Sequence, residues 1–165
     1  MTKPTAENGV SGLGPQKFLT FSLAGEEYGI SIMRIKEIIG ILPITVLPQT
    51  PDYVKGVINL RGKVIPVIDL RLKFDLEPAT PTERTCIIVI ETESGKHNQT
   101  LVGLIIDGVS EVINLKGDEV EPSPTLQTSL HEQYILGLAK YGNGVKILLD
   151  IDKVISHEEL VGTAE

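Results

Sequence analysis

The sequence predicts an all-β chain with short helices, on three observations. Its apolar residues fall in short runs bounded by Gly, Pro, Asn or Asp, at 57–60, 64–70, 86–91, 101–107, 109–115, 134–141 and 145–151. Those runs are aliphatic and largely β-branched: 20 Ile, 14 Val and 19 Leu stand against 3 Phe, 4 Tyr and no Trp, a composition that suits half-buried pleated surfaces. Only 152–161 carries convincing helical spacing, with Val154, Ile155 and Leu160 as a partial stripe. Many short strands at close spacing point to barrels or a sandwich, and 165 residues can bury a core of ordinary size without disulfides or metals.

Residues 1–16, rich in Gly, Pro, Ser, Thr and Asn, lack the apolar side chains that would offset the entropy cost of ordering, so a disordered tail is expected there. From Phe18, Leu19, Phe21 and Leu23 alternate with Thr20 and Ser22 in a strand pattern. Gly25 turns the chain and Tyr28, Ile30 and Ile32 resume the alternation, so 18–24 and 27–32 read as a hairpin. The spacing of Ile32, Ile35, Ile38 and Ile39 then suits a short helix or a bent strand. Pro43, Pro48 and Pro51 bracket a short strand at 44–47, confined by proline to an edge or a bend. Within 56–74, two β-branched runs flank Arg61-Gly62-Lys63, a tight hairpin in which Gly62 supplies the positive φ. Pro78 and Pro81 mark a break at 77–85, a candidate boundary between two subdomains. No long internal repeat is detectable, although an Asp ends an apolar strand in each half, at Asp69 and Asp107, which is compatible with two similar barrels.

Charge and motif content exclude several function classes. Lys and Arg total 15 against 22 Asp and Glu, for a net charge of −7, so the chain lacks the basic face that nucleic acid or an anionic membrane would require. No apolar run reaches the roughly 18 residues of a membrane helix, and the first residues lack a signal peptide's apolar segment, so a soluble cytoplasmic protein is expected. The single Cys86 cannot form an internal bridge and reads as a packed thiol. His97, His131 and His157 lie far apart in polar settings, without zinc-ligand spacing, and read as surface residues. Gly9, Gly12 and Gly14 follow no strand and precede no Lys-Ser/Thr pair, so they form no phosphate loop. Asp69, Asp107 and Asp150 read as strand-end caps and turn formers rather than an acid–base pair. No catalytic residue, cofactor or metal is expected. Arg61 has no carboxylate near it in sequence, so it points to solvent or anchors something else, and Glu37, embedded in apolar neighbours, has the same ambiguity.

Three blocks, EEYGISIMRIKEIIG at 26–40, NLRGKVIPVIDLR at 59–71 and VGLIIDGVSEV at 102–112, together resemble in order and spacing the CheW family, the coupling proteins of bacterial chemotaxis. The resemblance covers about 18–160 and is most specific in the Asn-Leu-Arg-Gly hairpin followed by Pro-Val-Ile-Asp-Leu-Arg. It implies two small, interleaved SH3-like β-barrel subdomains packed together over 17–160, with a short tail at 161–165. It also implies a non-enzymatic adaptor in the cytoplasm, recruited to membrane-associated arrays, that couples the hairpin tip of chemoreceptors to the regulatory domain of the histidine autokinase CheA.

By the same resemblance, receptor contacts fall on Ile35, Arg61, Val109 and Val112, in a groove between the subdomains. Glu37 and Ile38, in the same matching block, are placed for receptor or kinase contact and are carried with the receptor and kinase sets respectively. Kinase contact falls on Ile41, Thr45, Val46 and Gly56. A second, ring-closing kinase contact maps to Glu121 and Leu126, where the acid replaces an expected basic residue and would alter the contact. Two rivals are the corresponding regulatory domain of the kinase and a small enzyme. The start at Met1 and the lack of a phosphotransfer histidine segment favour the free-standing adaptor, the length leaves no room for an added receiver domain, and an enzyme would need a nucleophile or metal set.

Overall fold

The computed structural model describes residues 15–93, 99–122 and 132–155. Its strands are β1 (Gln16–Leu23), β2 (Glu26–Ser31), β3 (Ile35–Gly40), β4 (Val54–Leu60), β5 (Lys63–Asp69), β6 (Cys86–Glu93), β7 (Gln99–Ile106), β8 (Gly108–Leu115), β9 (Val120–Glu121), β10 (Ile135–Tyr141) and β11 (Gly144–Leu149). Two one-turn helices, α1 (Leu70–Lys73) and α2 (Ile151–Val154), follow β5 and β11. A six-stranded sheet runs β8-β1-β2-β11-β10-β9 and a five-stranded sheet β3-β6-β7-β5-β4. The class is all-β with short helices, as the runs of Ile and Val require.

Local chemistry explains most element boundaries. The β1–β2 loop is Ala24-Gly25 and the β4–β5 loop Arg61-Gly62, all four at positive φ, the geometry of a two-residue hairpin turn that matches strand twist. Positive φ thus extends to Arg61 as well as Gly62, and Asn59 Oδ1 accepts from the Gly62 amide at 2.8 Å to hold the turn. The segment after Ile32 is both of the expected alternatives in succession: a 3-10 turn at Ile32–Arg34, capped by the Ser31 hydroxyl, then β3. The strand expected at 44–47 does not form. Only Thr45 pairs, in a single bridge to Val57, because Pro43 and Pro48 leave no room for a ladder. Asp69 caps α1 by accepting from the Arg71 and Leu72 amides. Gln16, assigned to the tail, already belongs to β1. Residues 1–14, 156–165, Leu126 and the three histidines lie outside the described residues, and α2 is the part of the expected C-terminal helix inside them.

Among the described residues, three cores hold the sheets. The largest lies between them, joining Leu19, Phe21, Leu23 and Ile30 to Ile68, Ile88, Ile90 and Leu104, with Leu70, Ile151 and Val154 of the helices. Each sheet keeps another on its opposite face: Phe18, Ile113, Leu115, Ala139 and Leu148 in one, Ile58, Leu60, Ile65, Val67, Ile87 and Val89 in the other. Burial on both faces is why β6 reads as a continuous Ile-Ile-Val-Ile run, with Ile87 and Val89 facing one core and Ile88 and Ile90 the other. Strand pairing establishes two packed sheets and goes no further toward the SH3-like barrels of the expectation.

The sheets are copies of one plan. Matching β3 with β8, β6 with β1, β7 with β2, β5 with β11, β4 with β10 and the Thr45 bridge with β9 makes their strand orders identical. Tyr53, Gly56 and Asp69 recur 81 positions later as Tyr134, Gly137 and Asp150. The Asp69 and Asp150 amides each donate to the corresponding tyrosine carbonyl at 2.8 Å, and both hairpins shift register at the glycine. A second frame, of 74 positions, matches Gly29 with Gly103, Ile35 with Val109, Glu37 with Glu111 and Ile38 with Val112. The equivalent of Asp69 is therefore Asp150, not Asp107. The copies interleave because their hairpins are exchanged: β1–β2 joins the sheet of β8–β11, and β6–β7 joins that of β3–β5. The break at 77–85 separates the two copies in sequence, β1–β5 from β6–β11, but not the two sheets in space. It is a crossover within the five-stranded sheet, long because the chain must pass β7 to travel from β5 to β6.

Candidate functional site

The two edge strands β3 and β8 occupy equivalent positions in the two sheets. Opposed residues of an antiparallel pair point to one face. Ile35 opposes Ile90 and Ile38 opposes Ile88, while Val109 opposes Phe21 and Val112 opposes Leu19, and all four partners belong to the core between the sheets. Ile35, Ile38, Val109 and Val112 thus stand on faces turned toward that shared layer. Ile35 and Val109 pack against it, whereas Ile38 and Val112 are 42% and 49% exposed. The strands approach at Cys86, which pairs with Gly40 of β3 and is hydrogen-bonded to the Val109 backbone. Burial pushes the Cys86 thiol above its ordinary range, as befits a packed rather than reactive cysteine.

Glu37 leaves this group. It opposes Val89, on the other face of β3, and forms an ion pair with Arg61. The two residues that sequence left ambiguous are partners, 24 positions apart. Their contact also reveals the shape of the sheet. In a flat sheet β3 and the β4–β5 tip would stand three to four strand spacings apart, about 15–19 Å, more than the two side chains can span. The five-stranded sheet therefore curls, and the Thr45–Val57 bridge brings the segment that follows β3 onto the free edge of β4. So the resemblance-derived receptor set divides between the faces of β3 and β8 turned toward the shared layer (Ile35, Val109, Val112) and the opposite face of β3 with the β4–β5 tip that reaches it (Glu37, Arg61), and Ile38, carried with the kinase set, shares the inward face.

Of the other kinase candidates, Ile41, Thr45 and Val46 are exposed along the segment that bridges β4. Gly56 is buried, so it offers no surface to a partner. It lies at φ 142° directly beneath Thr45 and Ile44, where any Cβ would strike the Thr45 carbonyl, and its work is to seat that segment. Glu121 occupies in β9 the place Thr45 has in the other copy: it opposes Leu138 as Thr45 opposes Val57. It is paired with Lys140 at 3.2 Å. Exposed apolar side chains that sequence alone did not single out include Met33 in the 3-10 turn, Val64 beside the Arg61 hairpin, and Tyr141 and Val145 at the β10–β11 turn. Val64 was detectable, since it occupies the outward phase of the alternation whose inward members are Ile65 and Val67.

Two bidentate ion pairs lie where the chain changes sheets. Arg71 Nε and Nη2 donate to Asp107 Oδ1 and Oδ2 at 2.9 and 2.7 Å, and the Ala24 amide donates to the same Oδ2 at 2.8 Å. Hydrogen bonding from Arg71, more than any other influence, holds the Asp107 carboxyl below the ordinary carboxylate range. Arg34 Nη1 and Nη2 donate to Asp152 Oδ2 and Oδ1 at 3.0 and 2.6 Å. A cleft of about 470 Å³ opens beside the first pair, lined by Ser22, Ile41, Arg71, Arg84 and Asp107 among others. Among the described residues, no group of three or more His, Cys, Asp or Glu side chains is placed to hold a metal, and no helix is long and apolar enough to cross a membrane.

The chain is similar to known proteins over most of its length. The CheW-like domain family matches residues 17–159. The chemotaxis protein CheW of Klebsiella aerogenes is 41% identical over 145 residues, spanning 88% of this chain and 84% of that protein. The chemotaxis protein CheW of Treponema pallidum is 34% identical over 148 residues, spanning 87% and 84% respectively. The crystal structure of the scaffolding protein TtCheW from Thermoanaerobacter tengcongensis matches with a TM-score of 0.77 at 34% identity, covering 86% of this chain and 88% of that one.

Proposed function

The chain belongs to the CheW-like domain family, and from that premise we propose that it is a non-enzymatic coupling adaptor of bacterial chemotaxis, joining chemoreceptor tips to the histidine kinase CheA. The observation that carries this reading is the duplication. A protein built from two copies of one strand order presents equivalent edges at two places, which suits joining partners rather than transforming a substrate. The groove between β3 and β8 offers an apolar strip of Ile35, Ile38, Val109 and Val112 to a receptor hairpin, with Arg61 and Glu37 as charged anchors on the far side of β3. Ile41, Thr45 and Val46 form the first kinase edge. Glu121, their structural counterpart, forms the second, and Lys140 beside it supplies a positive charge where this sequence has an acid. The protein works in the cytoplasm, at receptor arrays.

Titration calorimetry of the purified protein with a receptor cytoplasmic hairpin, and separately with the regulatory domain of CheA, tests the proposal. Saturable binding to each is expected. Failure to bind either partner would contradict it.

A further inference from the structure

The geometry points to the ion pairs Arg71–Asp107 and Arg34–Asp152 as positioning residues that hold the two groove walls at the spacing a receptor hairpin requires, an inference that rests on the receptor reading of the groove. Asp107 is the single residue between β7, in the five-stranded sheet, and β8, in the six-stranded one. Arg34 ends the 3-10 turn between β2, in the six-stranded sheet, and β3, in the five-stranded one. Each crossover is gripped by the one-turn helix that closes the sheet being left: α1 through Arg71, α2 through Asp152.

Arg71 and Asp152 occupy the same position of the repeat, 81 residues apart. Their charges are opposite, and so are those of the crossover residues they hold. The tie is repeated although the residues that make it are not, which an incidental surface pair has no reason to do. Further bonds brace each arginine against backbone: Arg71 Nη1 donates to the Glu77 carbonyl at 2.8 Å and Arg34 Nε to the Glu91 carbonyl at 3.0 Å. A planar guanidinium held in this bidentate, multiply bonded way resists rotation as well as separation.

The walls begin immediately after the ties. Ile35 follows Arg34 directly, and Val109 follows Asp107 by two residues. Arg84 adds a second hold on β8, donating from Nη2 to the Val109 carbonyl at 3.3 Å while its guanidinium lies against Gly108. Slack at either crossover therefore moves a wall of the groove, whereas the kinase edge at Ile41, Thr45 and Val46 is fixed by its bridge to β4.

The test compares Asp107→Asn, Arg34→Gln and the reversed pair Arg71→Asp with Asp107→Arg, which gives the first tie the polarity of the second. Calorimetry with a receptor cytoplasmic hairpin and with the CheA regulatory domain is combined with amide hydrogen exchange. Each single variant is expected to weaken hairpin binding by about tenfold, leave kinase-domain binding within about twofold, and speed exchange at 35–38 or 109–112. The reversed pair is expected to recover most of the hairpin affinity. Unchanged exchange along the wall that follows the altered tie would overturn the inference whatever partner binds. So would equal losses toward both partners, or normal hairpin binding by the single variants. Failure of the unaltered protein to bind the hairpin, with exchange responding as described, would instead reject the receptor reading and leave the ties as determinants of groove geometry.

Discussion

The Arg61 side chain is 68% exposed in its ion pair with Glu37, so solvent screens most of the attraction and the pair adds little to folding. That leaves Arg61 available to a partner that excludes water from it. Arg61→Ala is expected to change stability by no more than about 0.5 kcal/mol and to weaken hairpin binding about tenfold, equivalent to about 1.4 kcal/mol. Denaturant melts beside calorimetry would separate the two effects, and unfolding with normal binding per folded molecule would make Arg61 structural. Asp107 behaves differently. Its carboxyl titrates below the ordinary value because Arg71 bonds the charged form, so it stabilises the fold above that ordinary value and the contribution is lost as pH falls through the folded one. Unfolding free energy is therefore expected to decline on acidification below about pH 4, and less steeply in Asp107→Asn, as denaturant titrations across that range would show. Single residues were legible where chemistry is local: the packed Cys86 and the capping Asp69 follow from their immediate neighbours. The partners of Arg61 and Asp107 were not, since each lies many residues away and is brought close only by sheet curvature or crossover.

Strands were legible almost throughout, because runs of β-branched residues with turn formers between them are sufficient to specify them. What failed was the short segment whose pairing depends on distant backbone. Thr45 touches β4 only because Gly56 lacks a side chain, and nothing within 44–47 reports that. Gly56→Ala is accordingly expected to cost about 2–4 kcal/mol, from forbidden φ and a blocked approach together. Thermal melts would measure the loss, and a near-neutral result would mean that the 44–45 segment is not seated on β4. Ile68, 1% exposed in the shared core, provides the comparison: Ile68→Ala is expected to cost roughly 2–5 kcal/mol by leaving a cavity. β9 is two residues long, too short for any periodicity, and only its equivalence to the Thr45 bridge gives it meaning.

At the scale of the molecule, the exchanged hairpins make each sheet depend on chain from both halves. Neither half contains a complete sheet, so calorimetry is expected to show one unfolding transition whose van't Hoff and calorimetric enthalpies agree, and two separable transitions would refute the dependence. The same exchange hid the duplication: the repeat runs in two frames, of 81 and 74 positions, with few identities in either, so a search for one period finds nothing. Family resemblance carried the two-part architecture where periodicity could not. Duplication also gives the adaptor its logic, since the inward faces of β3 and β8, proposed to take the receptor hairpin, are separate from the Thr45 and Glu121 edges proposed to take the kinase. Receptor face and kinase edges are proposed to act at once, and sedimentation velocity of the protein mixed with a receptor hairpin and the CheA regulatory domain puts this to the test. A ternary complex heavier than either binary one is the result expected. Displacement of one partner by the other would contradict it.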